Sequence, residues 1–369
     1  MLYTELDTPS LLIDREILIR NIKDMQAYAD MNKASLRPHT KTHKMPEIAQ
    51  LQLEYGACGI AVAKTGEAEV MAAHGITDIF IANEIAGRRK LERIAGLAQQ
   101  GVNISFGVDN PWQVREAEAV FAEKGVSVPV LIEIEVGENR SGIIMEDDFL
   151  SLLDCISCCP HVLFKGIFSH DGNSYGAEDI EALKEISSGA QARTLHFARL
   201  AAERGMPCKT VSYGATPTFM NHVEILPGIT ELRPGTYVFM DASQGNAIGT
   251  TERCAATVLA AVISKPTEQR TILDVGAKGL TMQERSKGIC ATPGKGTIWG
   301  HPEVHIDSVF DEHAIICSKQ FHDSVSLGSK VRIIPVHICP VCNLYDKAYL
   351  ISGSEVIKEL DISCRGKLQ

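Results

Sequence analysis

The chain has 369 residues, which is too many for one ordinary hydrophobic core and suits two domains. A hydrophobic content of 45% and a charged content of 22% are typical of a globular protein. The formal net charge of −10 argues against a nucleic-acid or anionic-membrane partner, because both bind basic surfaces. No apolar run reaches the roughly 18 residues of a membrane span, and the N-terminus lacks the features of a signal peptide. We therefore expect a cytoplasmic protein.

Cysteine usage points the same way. The chain has 11 cysteines, and an odd number in a long chain argues against a disulfide framework. We expect most of them to be buried as small apolar side chains. Residues 339–342 (CPVC) have the spacing of a redox or zinc pair, but no second pair follows, so a structural zinc site with four cysteines is not expected.

The first predicted elements are a short apolar run at 11–13 and a helix over 16–31. They lead to residues 34–46 (ASLRPHTKTHKMP), a dense group of basic side chains and histidines. On composition alone this segment would be a basic surface loop. Its place after a predicted strand favours chemistry instead, because strand ends carry the active sites of barrels.

Lys41 is the first candidate in this segment, and Lys44 is the alternative. A lysine in partly apolar surroundings loses its proton readily and forms a Schiff base with a carbonyl. The carbonyl expected here is the aldehyde of pyridoxal phosphate. Like charge on Arg37 and His39 is expected to lower the pKa of Lys41.

Short apolar runs then alternate with longer helical patterns. The predicted strands are 35–37, 59–62, 78–81, 103–106, 130–135, 164–168, 210–212 and 237–240. The predicted helices are 45–53, 66–74, 87–99, 111–124, 147–157 and 179–203. Strands separated by helices form a parallel sheet, and about eight such units predict an α/β fold, a (β/α)₈ TIM-type barrel over 15–249. The glycine fingerprint of dinucleotide-binding folds is missing.

The pattern changes after about residue 249. Segments become short, rich in Val, Ile and Thr, and broken by Gly and Pro. Strands are predicted at 255–265, 271–275, 313–317 and 330–336, and a long loop at 282–305. These features predict a C-terminal all-β domain over 250–369.

Loops after two of the barrel strands carry candidates for binding a cofactor. Arg140 follows one strand and could bind a phenolate oxygen; otherwise it is a salt-bridged loop residue. His170 follows another and could stack on a pyridine ring or act in catalysis, or it is a surface histidine. Tyr175 lies in the same loop and is a further candidate contact.

A third loop has the sequence SYGAT, from Ser212 through Ala215 to Thr216. Gly214 lets the backbone approach a ligand, and successive N–H groups with the Thr216 hydroxyl can cradle a phosphate. The alternative is an ordinary turn with an N-cap threonine. Arg233, near the end of the barrel, could face the pyridine nitrogen and is otherwise a loop arginine.

His337 and Cys339 form the second strong candidate site. They lie two positions apart, so an extended strand would place both side chains on one face. An imidazole and a thiolate favour Zn²⁺ over harder cations, and two ligands leave positions open for a substrate. The alternative is a strand with one core histidine and one buried cysteine.

Together these segments resemble the fold-type III pyridoxal phosphate enzymes that include alanine racemase. Within that family they resemble the metal-dependent branch of D-threonine aldolase and D-serine dehydratase. The resemblance rests on residues 8–14 (TPSLLID), 37–44 (RPHTKTHK), 66–69 (GEAE), 213–218 (YGATPT), 233–237 (RPGTY) and 337–339 (HIC).

The resemblance implies that Lys41 is the Schiff-base lysine. It implies that the residues around the cofactor are Arg140, His170, Gly214, Thr216 and Tyr237. It also implies a homodimer, in which the partner's β domain completes the barrel mouth. The N-terminal strand, within residues 1–14, would join the β domain.

The activity implied is that of a lyase for D-configured β-hydroxy amino acids, dependent on pyridoxal phosphate and on Zn²⁺ or Mn²⁺. With Cys339 as a ligand we favour dehydration, in which D-serine gives pyruvate and ammonia. The alternatives are cleavage of D-threonine to glycine and acetaldehyde, and a lyase of D-3-hydroxyaspartate. A metal-free racemase or a non-catalytic cofactor-binding protein would leave the metal pair without a task. The base for the β-hydroxyl is left open among His43, His170, His222 and His313.

Overall fold

The computed structural model describes all 369 residues. Its strands are β1 (Ser10–Asp14), β2 (Ser35–Leu36), β3 (Ile60–Val62), β4 (Asp78–Glu84), β5 (Asn103–Val108), β6 (Val128–Ile134), β7 (Val162–His170), β8 (Thr210–Gly214), β9 (Glu231–Leu232), β10 (Ala256–Ser264), β11 (Arg270–Leu273), β12 (Gly296–Ile298), β13 (His301–His305), β14 (Ser308–Val309), β15 (Ala314–Cys317), β16 (Lys330–Pro335), β17 (Lys347–Ser352) and β18 (Glu355–Asp361).

The α-helices lie mostly between the strands of the first two-thirds of the chain. They are α1 (Arg15–Met31), α2 (Pro46–Glu54), α3 (Thr65–Ala73), α4 (Arg88–Gln99), α5 (Pro111–Lys124), α6 (Glu146–Ser157), α7 (Ile180–Glu203), α8 (Thr216–Met220), α9 (Ala242–Ala247), α10 (Ala277–Leu280), α11 (Lys319–Ser324) and α12 (Ile338–Cys342). No helix combines the length and the apolarity needed to cross a bilayer.

Eight parallel strands form a barrel in the order β2-β9-β8-β7-β6-β5-β4-β3. A parallel bridge between His39 and Ala61 joins the two ends of this order. One helix follows each strand from β2 to β8, as α2 to α8. The predicted barrel is confirmed. Because all strands run the same way, their carboxyl ends and the loops that follow them meet at one mouth.

Local sequence sets where the longer helices begin. Asp14 accepts a hydrogen bond from the Ile17 N–H at the start of α1, and Asp179 accepts one from the Ala182 N–H at the start of α7. Such caps satisfy backbone donors that the first turn of a helix leaves free. Asp14 and Asp179 therefore mark the starts of α1 and α7.

A second sheet of ten strands packs beside the barrel. Its main path is β13-β12-β16-β10-β1-β17-β18, with β11, β14 and β15 attached through β10. The first strand of the chain, β1, pairs antiparallel with β10 and parallel with β17. We propose that the domain boundary lies near residue 249, in the stretch between α9 and β10.

Two predicted elements were wrong. Residues 237–240 are not a strand: a 3-10 helix covers Thr236–Val238, and the eighth barrel strand is β9, earlier in the chain. Four consecutive apolar residues imitate a buried strand, because periodicity cannot separate a short buried helix from a strand. The predicted loop at 282–305 contains the strands β12 and β13.

Candidate active site

The loop that carries Lys41 joins β2 to α2 at the barrel mouth, and it is buried. Thr42 and His43 have no exposed surface, and His39 and Lys44 are almost fully covered. The alternative of a basic surface loop is therefore wrong. Burying basic groups has a cost unless they are paired or lose their charge, so each one needs an explanation.

Lys44 and His43 fix this loop through contacts with neighbouring side chains and backbone. The Lys44 amine lies 2.8 Å from the Glu67 carboxylate in a buried ion pair, and its backbone is left-handed, with φ of 60°. The His43 ring accepts from the Met45 N–H (3.1 Å) and contacts the Gln52 carbonyl oxygen (3.3 Å). Lys44 is thus a structural residue, and Lys41 is the lysine left for chemistry.

Tyr237 belongs to this support and not to the cavity. Its hydroxyl accepts a hydrogen bond of 2.8 Å from the Gln52 amide, and its ring is fully buried. The structure therefore places Tyr237 behind the loop and outside the cavity lining, and its expected cofactor contact remains a prediction. A buried tyrosine next to a polar loop finds a partner there because its hydroxyl must be satisfied.

A cavity of about 300 Å³ opens at the barrel mouth. Nine predicted site residues line it: Lys41, Arg140, His170, Tyr175, Ala215, Thr216, Arg233, His337 and Cys339. The sequence analysis missed other lining residues, among them Glu133, Glu138, Thr236 and Arg285, and it had considered His39 only as a nearby charge. Of the four histidines considered as bases, only His170 reaches the cavity.

The surroundings of Lys41 lower the pKa of its amine, which favours the uncharged form. Burial lowers its pKa most, the neighbouring Cys339 opposes this shift, and Arg140 and Arg233 add to it. The predicted direction agrees, but the predicted cause is wrong. Arg37 instead binds Glu231 (2.7 Å) and Asp78 (2.5 Å).

His39 contributes no like charge either. Burial lowers the pKa of His39 far below its ordinary value, so the imidazole is neutral. The Lys41 amine has no hydrogen-bond partner within the chain and opens into the cavity. An unpartnered amine of lowered pKa that is open to a cavity is the form of lysine that attacks an aldehyde.

His170 ends β7 and Arg233 directly follows β9, and β8 lies between these two strands. The Nδ1–H of His170 donates to the Gly214 carbonyl (2.7 Å), and burial keeps the pKa of His170 well below its ordinary value. Arg233 donates to the Ser212 hydroxyl (2.5 Å) and the Ser169 carbonyl (2.8 Å). Both side chains are thereby held in one orientation, facing the cavity.

Ser212 and Gly214 support these groups and lie outside the cavity lining, and their role as cofactor contacts remains a prediction. A side chain at Gly214 would place its Cβ 2.7 Å from the Arg233 carbonyl oxygen, so the close packing of β8 on β9 requires glycine. The loop then turns into α8, whose first residue Thr216 faces the cavity with Ala215.

Arg140 lies across the cavity and is half exposed. Its guanidinium contacts Glu133 (3.4 Å) and Glu138 (3.3 Å). Glu133 also accepts from the Ser141 hydroxyl (2.7 Å). Burial first and contact with Glu133 second raise the pKa of the adjacent Glu84 to about 9, so Glu84 stays neutral while Glu133 holds Arg140.

The predicted metal pair comes from the second sheet of the same chain. His337 is the N-cap of α12 and Cys339 lies in its first turn, so the predicted strand is wrong. The turn is set by Asp241, whose carboxylate accepts from the Ile338 N–H (3.1 Å). The Cys339 sulfur lies 3.2 Å from the Thr42 hydroxyl, one residue from Lys41. The pair and the lysine therefore share one cavity within one chain.

The donor set fits a divalent metal ion. His337 Nδ1 contacts the side-chain amide oxygen of Gln283 at 3.0 Å, which leaves Nε2 as the free ligand atom. No group of three His, Cys, Asp or Glu side chains forms a complete site, so a metal held here would keep open positions. A closed structural site would instead use four protein ligands.

The cavity also fits pyridoxal phosphate. It offers the unpartnered Lys41 amine for the aldehyde and the Thr216 end for a phosphate. Arg140 and Arg233 of the lining suit the anionic oxygen and the ring nitrogen. The excess of cations over carboxylates in the lining matches a ligand that carries several negative charges.

Comparison with known proteins gives the same two parts. Residues 13–243 match the family described as alanine racemase, N-terminal domain. Residues 255–351 match a putative serine dehydratase domain. A D-threonine aldolase of Arthrobacter sp. is 34% identical over 98% of this chain and 93% of its own length. A D-threo-3-hydroxyaspartate dehydratase of Delftia sp. is 32% identical over 90% of this chain and 91% of its own length.

Solved structures agree with these relatives. The D-threonine aldolase of Filomicrobium marinum superposes with a TM-score of 0.91 at 29% identity, covering 100% of this chain and 99% of that one. The Delftia dehydratase superposes with a TM-score of 0.91 at 28% identity, and the match covers 98% of each chain. Two further structures of that dehydratase carry one alanine substitution each. In one a histidine is replaced, and in the other the cysteine two positions after it is replaced and the structure is in the metal-free form.

Proposed function

The chain belongs to the alanine racemase-like, fold-type III family of pyridoxal phosphate enzymes, and on that basis we propose that it is a metal-dependent lyase of D-configured β-hydroxy amino acids. One observation carries the proposal: the free amine of Lys41 and the pair His337 and Cys339 open into the same cavity. A racemase needs two opposed bases and has no use for such a pair.

Pyridoxal phosphate, bound through its aldehyde to Lys41, supplies an electron sink for the bonds at the α-carbon of an amino acid. The residues that would hold it are Lys41, Arg140, His170, Thr216 and Arg233. Arg140 is fixed by Glu133 and Glu138, so it can bind an anionic oxygen without reorganising.

Lys41 is the residue that transfers the proton at the α-carbon. Its pKa is lowered by burial first and by neighbouring arginines second, so the amine can accept a proton. His170, neutral and fixed on the Gly214 carbonyl, packs as a flat wall and presents its free Nε2 to the cavity.

Zn²⁺ or Mn²⁺, held by His337 and Cys339, supplies a Lewis acid for the β-hydroxyl of the substrate. Gln283 orients the His337 ring, and Thr42 and Thr236 lie beside the Cys339 sulfur at 3.2 and 3.6 Å. We propose Zn²⁺ as the resident ion, because a thiolate favours it over Mn²⁺.

We favour dehydration as the reaction. His337 and Cys339 have the spacing of the histidine and cysteine that were replaced in the Delftia dehydratase. The second candidate is aldol cleavage, which is supported by the 34% identity to a D-threonine aldolase. The preference for D-serine suggested by the sequence remains a prediction.

The deciding experiment incubates purified protein and pyridoxal phosphate with D-serine, D-threonine and D-3-hydroxyaspartate, with Zn²⁺ or with a chelator. Dehydration releases ammonia and a 2-keto acid, whereas aldol cleavage releases glycine and an aldehyde. We expect ammonia and a keto acid, and loss of the activity in chelator. Racemisation that persists in chelator would contradict the proposed function.

A further inference from the structure

Arg285 is a cation of the cavity without a partner in the chain. It lies between α10 and β12 in the second domain, and its guanidinium stands 4.7 Å from the centre of the Tyr175 ring. Its Nε is buried without a hydrogen bond, and its side chain makes no ion pair. The other two arginines of the cavity are bound, Arg140 by carboxylates and Arg233 by hydroxyl and carbonyl oxygens.

The carboxylates of the cavity do not neutralise Arg285. The lining contains two, Glu133 and Glu138, and both contact Arg140. The nearest acidic residue in sequence, Glu284, pairs with Lys295 outside the lining. A guanidinium that is partly buried and lacks an anion is unfavourable, so the site is arranged for an anion that arrives with the ligand.

The position of Arg285 identifies the part of the ligand that it meets. Gln283, two residues earlier, orients the imidazole of His337, so this segment borders the metal pair. Under the proposed function the pair binds the β-hydroxyl. The other substituent on the same carbon then lies toward Arg285, while the α-carbon lies toward Lys41.

We infer that Arg285 binds a carboxylate on the β-carbon of the substrate, which makes the site selective for β-hydroxy amino acids with two carboxylates, the chemistry of D-3-hydroxyaspartate. This inference rests on the proposed function. A guanidinium held over an aromatic ring presents its fork to a carboxylate with little loss of entropy. The methyl group of threonine or the hydrogen of serine would leave it unpaired.

The first test measures binding and not turnover. The holoenzyme is titrated with D-aspartate and with D-2-aminobutyrate, which carry a carboxylate or a methyl group at the β-position and lack the hydroxyl. The readout is the change in cofactor absorbance. We expect Arg285→Gln to raise the dissociation constant of D-aspartate about 30-fold, which corresponds to one charge-assisted pair. The dissociation constant of D-2-aminobutyrate should change less than about 3-fold.

Lys278→Gln is the matched control, because it removes one positive charge from the same domain at an exposed pair with Glu312. It should leave both dissociation constants unchanged. Arg285→Lys keeps the charge without the fork and should retain part of the preference for D-aspartate. If Arg285→Gln does not fold, Arg285→Lys replaces it as the test variant.

The second test compares kcat/KM for D-3-hydroxyaspartate, D-threonine and D-serine. Arg285→Gln should lower kcat/KM strongly for D-3-hydroxyaspartate and leave it unchanged for D-threonine and D-serine. An equal loss on all three, or no loss on any, would overturn the inference, because Arg285 would then bind a group common to all substrates or none. If the wild type acts on none of them, the proposed function fails, while the binding preference still decides the role of Arg285.

Discussion

Lys41 and Lys44 stand three residues apart in one buried loop, yet they have opposite surroundings. Lys44 has a carboxylate at 2.8 Å, so its charge is compensated. Lys41 has two arginines nearby and no carboxylate in contact. The chemistry of the loop follows from this difference, because only an uncharged amine attacks an aldehyde.

We expect Lys41→Ala to abolish the visible absorption that borohydride removes from the holoenzyme, together with turnover. Without the amine no covalent link to the aldehyde can form. Absorbance spectra before and after reduction provide the measurement, and Lys209→Ala, at an exposed lysine, is the control. A Lys41→Ala protein that keeps both the reducible colour and the activity would show that another lysine is used.

Asp171 gives a pH dependence with a definite sign. Burial raises its pKa to about 7, although it accepts hydrogen bonds from Tyr213 (2.5 Å) and Thr218 (2.7 Å). The folded chain therefore holds an extra proton between the unfolded pKa of about 4 and pH 7. The contribution of this group to stability is full below that window and is lost as the pH rises through it.

We expect Asp171→Asn to lose this dependence. The free energy of unfolding of the wild type, minus that of the variant, should fall by about 2 kcal/mol from pH 5 to pH 8. Urea unfolding at unit steps of pH measures it, and other titrating groups cancel in the difference. A difference that is constant across this range would show that Asp171 is ionised throughout.

At the level of elements, Asp241 joins two short helices that belong to different parts of the fold. One carboxylate oxygen accepts from the Gln244 N–H of α9 (2.8 Å), and the other accepts from the Ile338 N–H of α12 (3.1 Å). The side chain is buried. It therefore connects the end of the barrel to the turn that presents Cys339.

We expect Asp241→Ala to lower Zn²⁺ affinity about 10-fold or more, as loss of supporting groups around a metal does, and to destabilise the fold by about 2 kcal/mol through two lost caps. Asp179→Ala is the control, since Asp179 caps only α7. It should cost about 1 kcal/mol and leave Zn²⁺ binding intact. Competition with a chromophoric chelator gives the affinity, and equal Zn²⁺ affinities in both variants would refute the role of Asp241.

The sequence predicted elements best where the pattern was long and regular. The barrel strands before residue 220 and the helices between them were placed to within a few residues, because apolar runs and caps repeat there. It failed at Thr236–Val238, where an apolar run folds as a 3-10 helix, and at His337, where a cap on Asp241 turns the chain. Both errors come from tertiary contacts that a local pattern does not contain.

The candidate site shows the same limit. Residues directly after regular strands, such as His170 and Arg140, were found because strand ends converge in a barrel. Arg285 was missed, since it comes from an irregular segment of the other domain and reaches the cavity only through domain packing. Its isolated position in a polar loop gave no signal in the sequence.

At the level of the whole molecule, one chain brings the lysine and the metal pair together. The Cys339 sulfur touches the Thr42 hydroxyl of the Lys41 loop, and the β1 strand ties the N-terminus into the second sheet. The homodimer implied by the sequence remains a prediction. If it forms, the partner adds to a site whose two reactive parts already belong to one chain.

This arrangement predicts the outcome of mixing two inactive variants. Lys41→Ala and Cys339→Ala are co-expressed with different tags, and the mixed dimer is purified by both tags. Because each site takes its lysine and its cysteine from the same chain, every site in the mixture lacks one of them. We expect no activity above that of either variant alone. Had the two residues come from different chains, one of the two sites in each purified mixed dimer would be intact and would restore about half of wild-type activity, and such a recovery would refute the single-chain site.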